Sequence, residues 1–165
     1  MNTLLEGPNR IKYQGNLSWV FRALGERQCE FNWLLTDLEC IGLPENLPYN
    51  PRYGNNKLWL SGKDLTEIVD FGHVQFIWGV LSGFPPNVEL DLERLKPYPI
   101  SEANRNLWRP NVQIQHPLAE VEIIFWDGYT TILLSRDEDL ALSFRAFFPE
   151  AVDLDEYNRL RQNKV

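Results

Sequence analysis

Glu120-Val121-Glu122-Ile123-Ile124-Phe125-Trp126-Asp127-Gly128-Tyr129-Thr130-Thr131-Ile132-Leu133-Leu134 is the stretch on which the fold turns. Two runs of strand formers flank an Asp-Gly pair. Asp-Gly between β-branched and aromatic residues marks a tight hairpin, because both central positions of a type I′ turn need positive φ. Val121, Ile123 and Phe125 alternate with Glu120 and Glu122, which predicts a half-buried strand carrying its carboxylates on a solvated face. Antiparallel pairing is thus encoded locally.

Toward the C-terminus, Ser135-Arg136-Asp137-Glu138 matches the capping box Ser-x-x-Glu. It opens a helix with Leu140, Phe144, Phe147 and Phe148 inward, stopped by Pro149. Asp153-Leu154-Asp155-Glu156 starts a last short helix that ends in Arg159, Arg161 and Lys164. Acids first and bases last suit the helix dipole.

Toward the N-terminus, residues 96–117 carry Pro97, Pro99, Pro110 and Pro117 and read as irregular, with Val112-Gln113-Ile114-Gln115 as an alternating edge strand. Residues 90–95 form a helical turn. Residues 74–81 are nearly continuous in apolar side chains, as in a central strand covered on both faces. Ser61 caps a second helix, with Asp64 three residues on and Leu65, Ile68 and Val69 as its buried stripe. Residues 57–60 are a short apolar strand. Residues 42–56, with Pro44, Pro48, Pro51 and Gly54, are a loop. Residues 30–35 and 38–41 pair as a hairpin turning at Thr36-Asp37. Asn16 caps a first helix bearing Leu17, Val20, Phe21 and Leu24 at helical spacing, and residues 10–13 are a first short strand. Hairpins outnumber parallel crossovers. The expected fold class is α+β: a mainly antiparallel sheet with helices packed on it, as one domain over residues 1–165.

The chain has 165 residues, within the size of one domain. Hydrophobic residues are 44 %, aromatic residues 13 % and the net charge is −7. An acidic balance argues against duplex nucleic acid or an anionic membrane as the partner, since both call for a basic face. No apolar run approaches the ~20 residues that span a bilayer. The first residues, Met1-Asn2-Thr3-Leu4-Leu5-Glu6-Gly7-Pro8, do not read as a secretory signal. Cys29 and Cys40 are too few for a disulfide framework. In the expected hairpin Cys40 faces Trp33 rather than Cys29, so both are read as reduced thiols of a cytoplasmic protein.

Signatures of chemistry are sparse. Neither cysteine sits in a nucleophile motif, and there is no Gly-x-Ser-x-Gly elbow. Cys29, Cys40, His73 and His116 lack metal-ligand spacing, so no metal is expected. The glycines form no phosphate-binding loop, so no cofactor is implied. Glu120 and Glu122 could make an acid pair, but their alternation reads as a solvated face.

Two features point to binding. Trp126 at the hairpin turn and Trp108 in the proline-rich connection are placed as interface anchors. Five of the seven net negative charges fall in residues 117–165, where Asp137, Glu138, Asp139, Asp153, Asp155 and Glu156 gather at two helix starts. Such a cluster would steer a basic protein partner.

Three segments carry a resemblance: Ser61-Gly62-Lys63-Asp64-Leu65, the apolar strand over 75–83 ending in Phe84-Pro85, and the strand–helix segment over 122–144. Their layout resembles that of small single-domain bacterial proteins of unknown function, and it brings no functional residue with it. The acidic, aromatic α+β style also looks like that of immunity proteins. The expectation is a non-enzymatic interaction module, of the immunity type, binding a basic protein. The alternative is a small-ligand binder or enzyme with an aromatic-lined pocket under the 42–56 loop and Glu120 or Glu122 at its edge. A homodimer through the edge at 112–115 is compatible with either.

Overall fold

The computed structural model describes residues 1–6, 15–47 and 57–163. Among these residues seven strands form one sheet: β1 (Asn2–Glu6), β2 (Asn32–Ile41), β3 (Lys57–Ser61), β4 (Gln75–Phe84), β5 (Val121–Trp126), β6 (Thr130–Ser135) and β7 (Val152–Asp153). Their order is β3-β2-β4-β5-β6-β1-β7, and every neighbouring pair is antiparallel. The α+β class with a mainly antiparallel sheet is therefore correct. Among the described residues four helices accompany it: α1 (Leu17–Ala23), α2 (Gly62–Phe71), α3 (Glu138–Phe147) and α4 (Leu154–Gln162). No helix among the described residues is long and apolar enough to cross a membrane.

The central hairpin forms as its sequence demands. Asp127 and Gly128 have φ of 53° and 67°, and the Tyr129 N–H closes the turn on the Trp126 carbonyl at 3.3 Å. The ladder resumes only at Trp126 opposite Thr130, so Tyr129 stands outside it and the loop is one residue longer than expected.

The sheet is covered on both faces, by different means. On the first face, α1, α2 and α3 bury Leu17, Phe21, Leu65, Leu140 and Phe144 against Trp33, Phe76, Leu81, Ile123 and Phe125. Each fully buried large apolar side chain contributes about 1.5–3 kcal/mol. On the second face, α4 and the connection 85–119 cover Leu4, Val80, Ile124, Ile132 and Leu134. That connection contains little regular structure, so its backbone needs other partners. Side chains of the sheet and α4 supply them. Thr36 Oγ1 donates to the Pro99 carbonyl at 2.7 Å, and Asp37 accepts from the Ser101 and Glu102 N–H groups. Asn158 of α4 donates to the Leu107 and Arg109 carbonyls, and Asp155 accepts from the Asn111 and Val112 N–H groups.

Four expectations need correction. Residues 30–35 and 38–41 are not a hairpin. β2 runs unbroken through Thr36-Asp37, with a bulge there opposite β4. Asp37 does take positive φ, 53°, as a turn residue would. The bulge and a tight turn share that local requirement, and here the bulge aims the carboxylate at the connection. Residues 112–115 are not an edge strand: Val112 is buried on the second face, so this segment offers no edge for a homodimer. Among the described residues the sheet ends instead at β3 and β7. Ser135 is not the cap of α3. Asp137 is, accepting from the Asp139 and Leu140 N–H groups, while Ser135 Oγ accepts from the Asp137 N–H. Glu122 is not on a solvated face, because the connection covers it completely. The expected strand over 10–13 and most of the 42–56 loop lie outside the described residues; β1 is Asn2–Glu6.

Candidate functional site

One row of side chains crosses the second face at the hairpin end of the sheet. Trp126 of β5 lies opposite Thr130 of β6, and Thr130 lies opposite Glu6 of β1. Residues directly opposite one another on antiparallel strands share a face. A short 3-10 helix, Arg105–Trp108, then brings Trp108 from the connection onto Trp126, with centroids 5.2 Å apart and rings perpendicular. Trp78 of β4 meets Trp126 edge-on at 4.9 Å, and Tyr157 of α4 stands 6.4 Å from Trp108. Aromatic pairs of this kind contribute about 0.5–1.5 kcal/mol each beyond their buried area.

A cleft of about 640 Å³ opens where this aromatic run reaches solvent. Trp108, Trp126 and Tyr129 supply its apolar wall, and Tyr129 is 68 % exposed. Among the described residues the charged lining is balanced: Glu6 and Asp127 against Arg105 and Arg161. The Arg161 guanidinium lies 5.6 Å from the centre of the Trp108 ring, a cation–π contact. Tyr157 donates to Glu6 at 3.2 Å. Asp127 and Arg105 have no hydrogen bond or ion pair from their side chains among the described residues.

No family model, curated protein or solved structure matches this chain.

Of the residues singled out from sequence, Trp108 and Trp126 are thus brought together. The six acids fall into two groups that start helices on opposite faces of the sheet. Half of them are engaged internally. Asp137 caps α3 and pairs with Arg27 at 3.0 Å. Burial alone would raise its pKa, but the Arg27 hydrogen bond and the two helix N–H groups hold it below the usual carboxylate range. Asp153 caps α4 and meets Arg145 at 3.2 Å, and the same opposition of burial and donors leaves its pKa lowered. Asp155 holds the connection. Glu138, Asp139 and Glu156 are exposed.

Glu122 has a different role. Its oxygens accept from Ser82 Oγ at 3.1 Å, the Gln115 N–H at 2.9 Å and the His116 N–H at 3.1 Å. Burial pushes its pKa up to about 7 against those three donors. It is 0 % exposed and lies four residues along β5 from Trp126, about 14 Å at ~3.4 Å per residue. It therefore fastens the connection to the sheet and does not reach the cleft. Glu120 is exposed.

Cys29 and Cys40 are free thiols, and burial raises Cys40 to about 11. Among the described residues no group of three His, Cys, Asp or Glu side chains could hold a metal ion. A second hollow beside residues 42–47 is lined by Pro44, Leu47, Leu60, Ile68 and Phe71, with no Trp or Tyr among the described residues. Residues 48–56, under which the aromatic-lined pocket was expected, lie outside the described residues; an aromatic-lined cleft among the described residues is the one at the hairpin. The contributions of Glu6, Arg105, Tyr129 and Arg161 were not legible in the sequence, since they come from four separate elements. The exposed Tyr after Asp-Gly is the nearest thing to a local signal.

Proposed function

We propose that this protein is a non-enzymatic interaction module, an immunity-type binder in the cytoplasm, and that the aromatic cleft is its contact surface for a basic protein partner. The observation that carries the reading is the composition of the cleft. Tryptophan, tyrosine and arginine are the residues that dominate the energetics of protein interfaces, and here Trp108, Trp126, Tyr129, Arg105 and Arg161 converge on one open concavity. Glu6 and Asp127 are both exposed, so neither has the buried setting that tunes a general acid. The strongly perturbed carboxyl, Glu122, is sealed away from solvent. The cleft, charge-balanced among the described residues, supplies affinity. The overall charge of −7, with Glu138, Asp139 and Glu156 free at the surface, supplies long-range attraction to a basic partner. The test is capture of a partner from the native host by the tagged protein at low and high ionic strength. A basic protein retained at low salt, released at high salt and lost with Trp108→Ala supports the reading. An acidic partner, salt-insensitive retention, or retention by Trp108→Ala refutes it.

A further inference from the structure

The helix α2 presents two stripes. Leu65 and Val69 face the core. Asp64, Glu67, Ile68 and Phe71, at positions i, i+3, i+4 and i+7, share another side of the helix. Phe71 is 94 % exposed. Opposite this stripe, Pro44 and Leu47 follow the end of β2, and Leu60 belongs to the edge strand β3; together they enclose a groove of about 590 Å³. Its floor is apolar. Among the described residues its charged lining is Asp64 and Glu67, both acidic. Asp64 accepts the Ser61 hydroxyl at 2.7 Å, whereas the Glu67 carboxylate has no partner among the described residues.

We infer that this groove docks an amphipathic helical segment of a protein partner, with apolar side chains on one face and lysine or arginine along its flank. An amphipathic helix docks by laying the apolar anchors at i, i+3, i+4 and i+7 into a hydrophobic groove, and Phe71, Ile68, Leu60, Leu47 and Pro44 line one here. The acidic rim selects the sign of the flanking charge. The same rim, on a chain of net charge −7, disfavours a second copy of this protein and an anionic lipid surface alike. The groove lies at the β3 edge, remote in strand order from the aromatic cleft, so the inference does not depend on that site.

The probe is a fluorescein-labelled 18-residue helix of leucine and lysine, with leucine at i, i+3, i+4 and i+7, titrated with the intact protein and read by anisotropy. Saturable binding is expected, weakened at least tenfold by Phe71→Ala and several-fold by Glu67→Lys. The same peptide with glutamate for lysine should not bind. Both positions are exposed, and far-UV circular dichroism verifies that the variants fold. Equal affinity in the wild type and both variants overturns the inference, since the attraction is then a general one to an acidic protein. So does absence of binding, or equal binding of the glutamate peptide. Loss of binding in Trp108→Ala with none in Phe71→Ala places the peptide in the cleft and overturns it too. A dimer in sedimentation that Phe71→Ala dissociates assigns the groove to a second copy instead.

Discussion

Glu122→Gln replaces a fully buried carboxyl by an amide of the same shape and separates the charge from the packing. In the folded protein the carboxyl titrates near 7, against an ordinary value of 4.5. A tenfold change in proton affinity corresponds to about 1.4 kcal/mol, so the displacement amounts to roughly 3 kcal/mol. The sign follows from proton binding. Between the two values the native state holds more protons than the unfolded chain, so stability falls as the pH rises. The contribution is fully present below 4.5, is lost as the pH passes through 7, and is level above. In Glu122→Gln this loss is absent. The amide instead turns its NH2 toward one of the three donors around it, which costs about 1–3 kcal/mol at every pH. The variant is therefore expected to be the less stable protein at pH 5 and to match or exceed the wild type at pH 8. Urea denaturation at both pH values measures this. With m near ~2 kcal/mol/M, the wild-type midpoint should fall by on the order of 1.5 M more than that of the variant. Groups common to both proteins cancel in that difference, among them His116, whose pKa burial holds below its ordinary value. Parallel pH dependence in the two proteins would refute the reasoning and show that the three donated hydrogen bonds, not burial, set the titration.

Other perturbations follow from particular contacts. Asp137→Ala removes both the cap of α3 and the partner of Arg27, and should cost about 1–2 kcal/mol in thermal unfolding at neutral pH. Because its carboxyl is held low, that contribution should vanish as the pH falls through its folded value, and wild type and variant should converge in acid. Gly83→Ala and Gly128→Ala separate two reasons for glycine. At Gly83 a Cβ would stand 2.6 Å from Val121 Cγ1 and 3.1 Å from the Trp33 ring, and overpacking should cost about 1–3 kcal/mol. At Gly128 a Cβ would meet nothing nearer than Ile77 Cα at 4.0 Å, so only the φ of 67° opposes it, at a cost of about 1–2 kcal/mol. Calorimetric melting of both variants tests whether the first is the more severe.

The chain's local chemistry specified several of its elements. Asp127-Gly128 closes the hairpin because few other pairs accept positive φ twice, and Asn16, Ser61 and Asp153 cap their helices because a short polar side chain there satisfies an otherwise unpaired N–H. These are requirements within a few residues, and they led to the α+β class. What covers each face could not be read in the same way. The alternation around Glu122 is that of a half-solvated strand, yet a connection rich in proline folds back over it, held by Asp37, Asp155, Asn158 and Glu122 itself. Proline and polar composition announce only that such a segment lacks a ladder of its own; its burial depends on acceptors contributed from distant strands and a helix. The aromatic cleft arose likewise. Trp108 and Trp126 could be named singly, but their 5.2 Å approach, and the company of Glu6 and Arg161, required three strands and α4 to be stacked in place. Short-range backbone preferences are written residue by residue, whereas burial and convergence belong to pairs far apart in the chain, and only the assembled tertiary structure determines those.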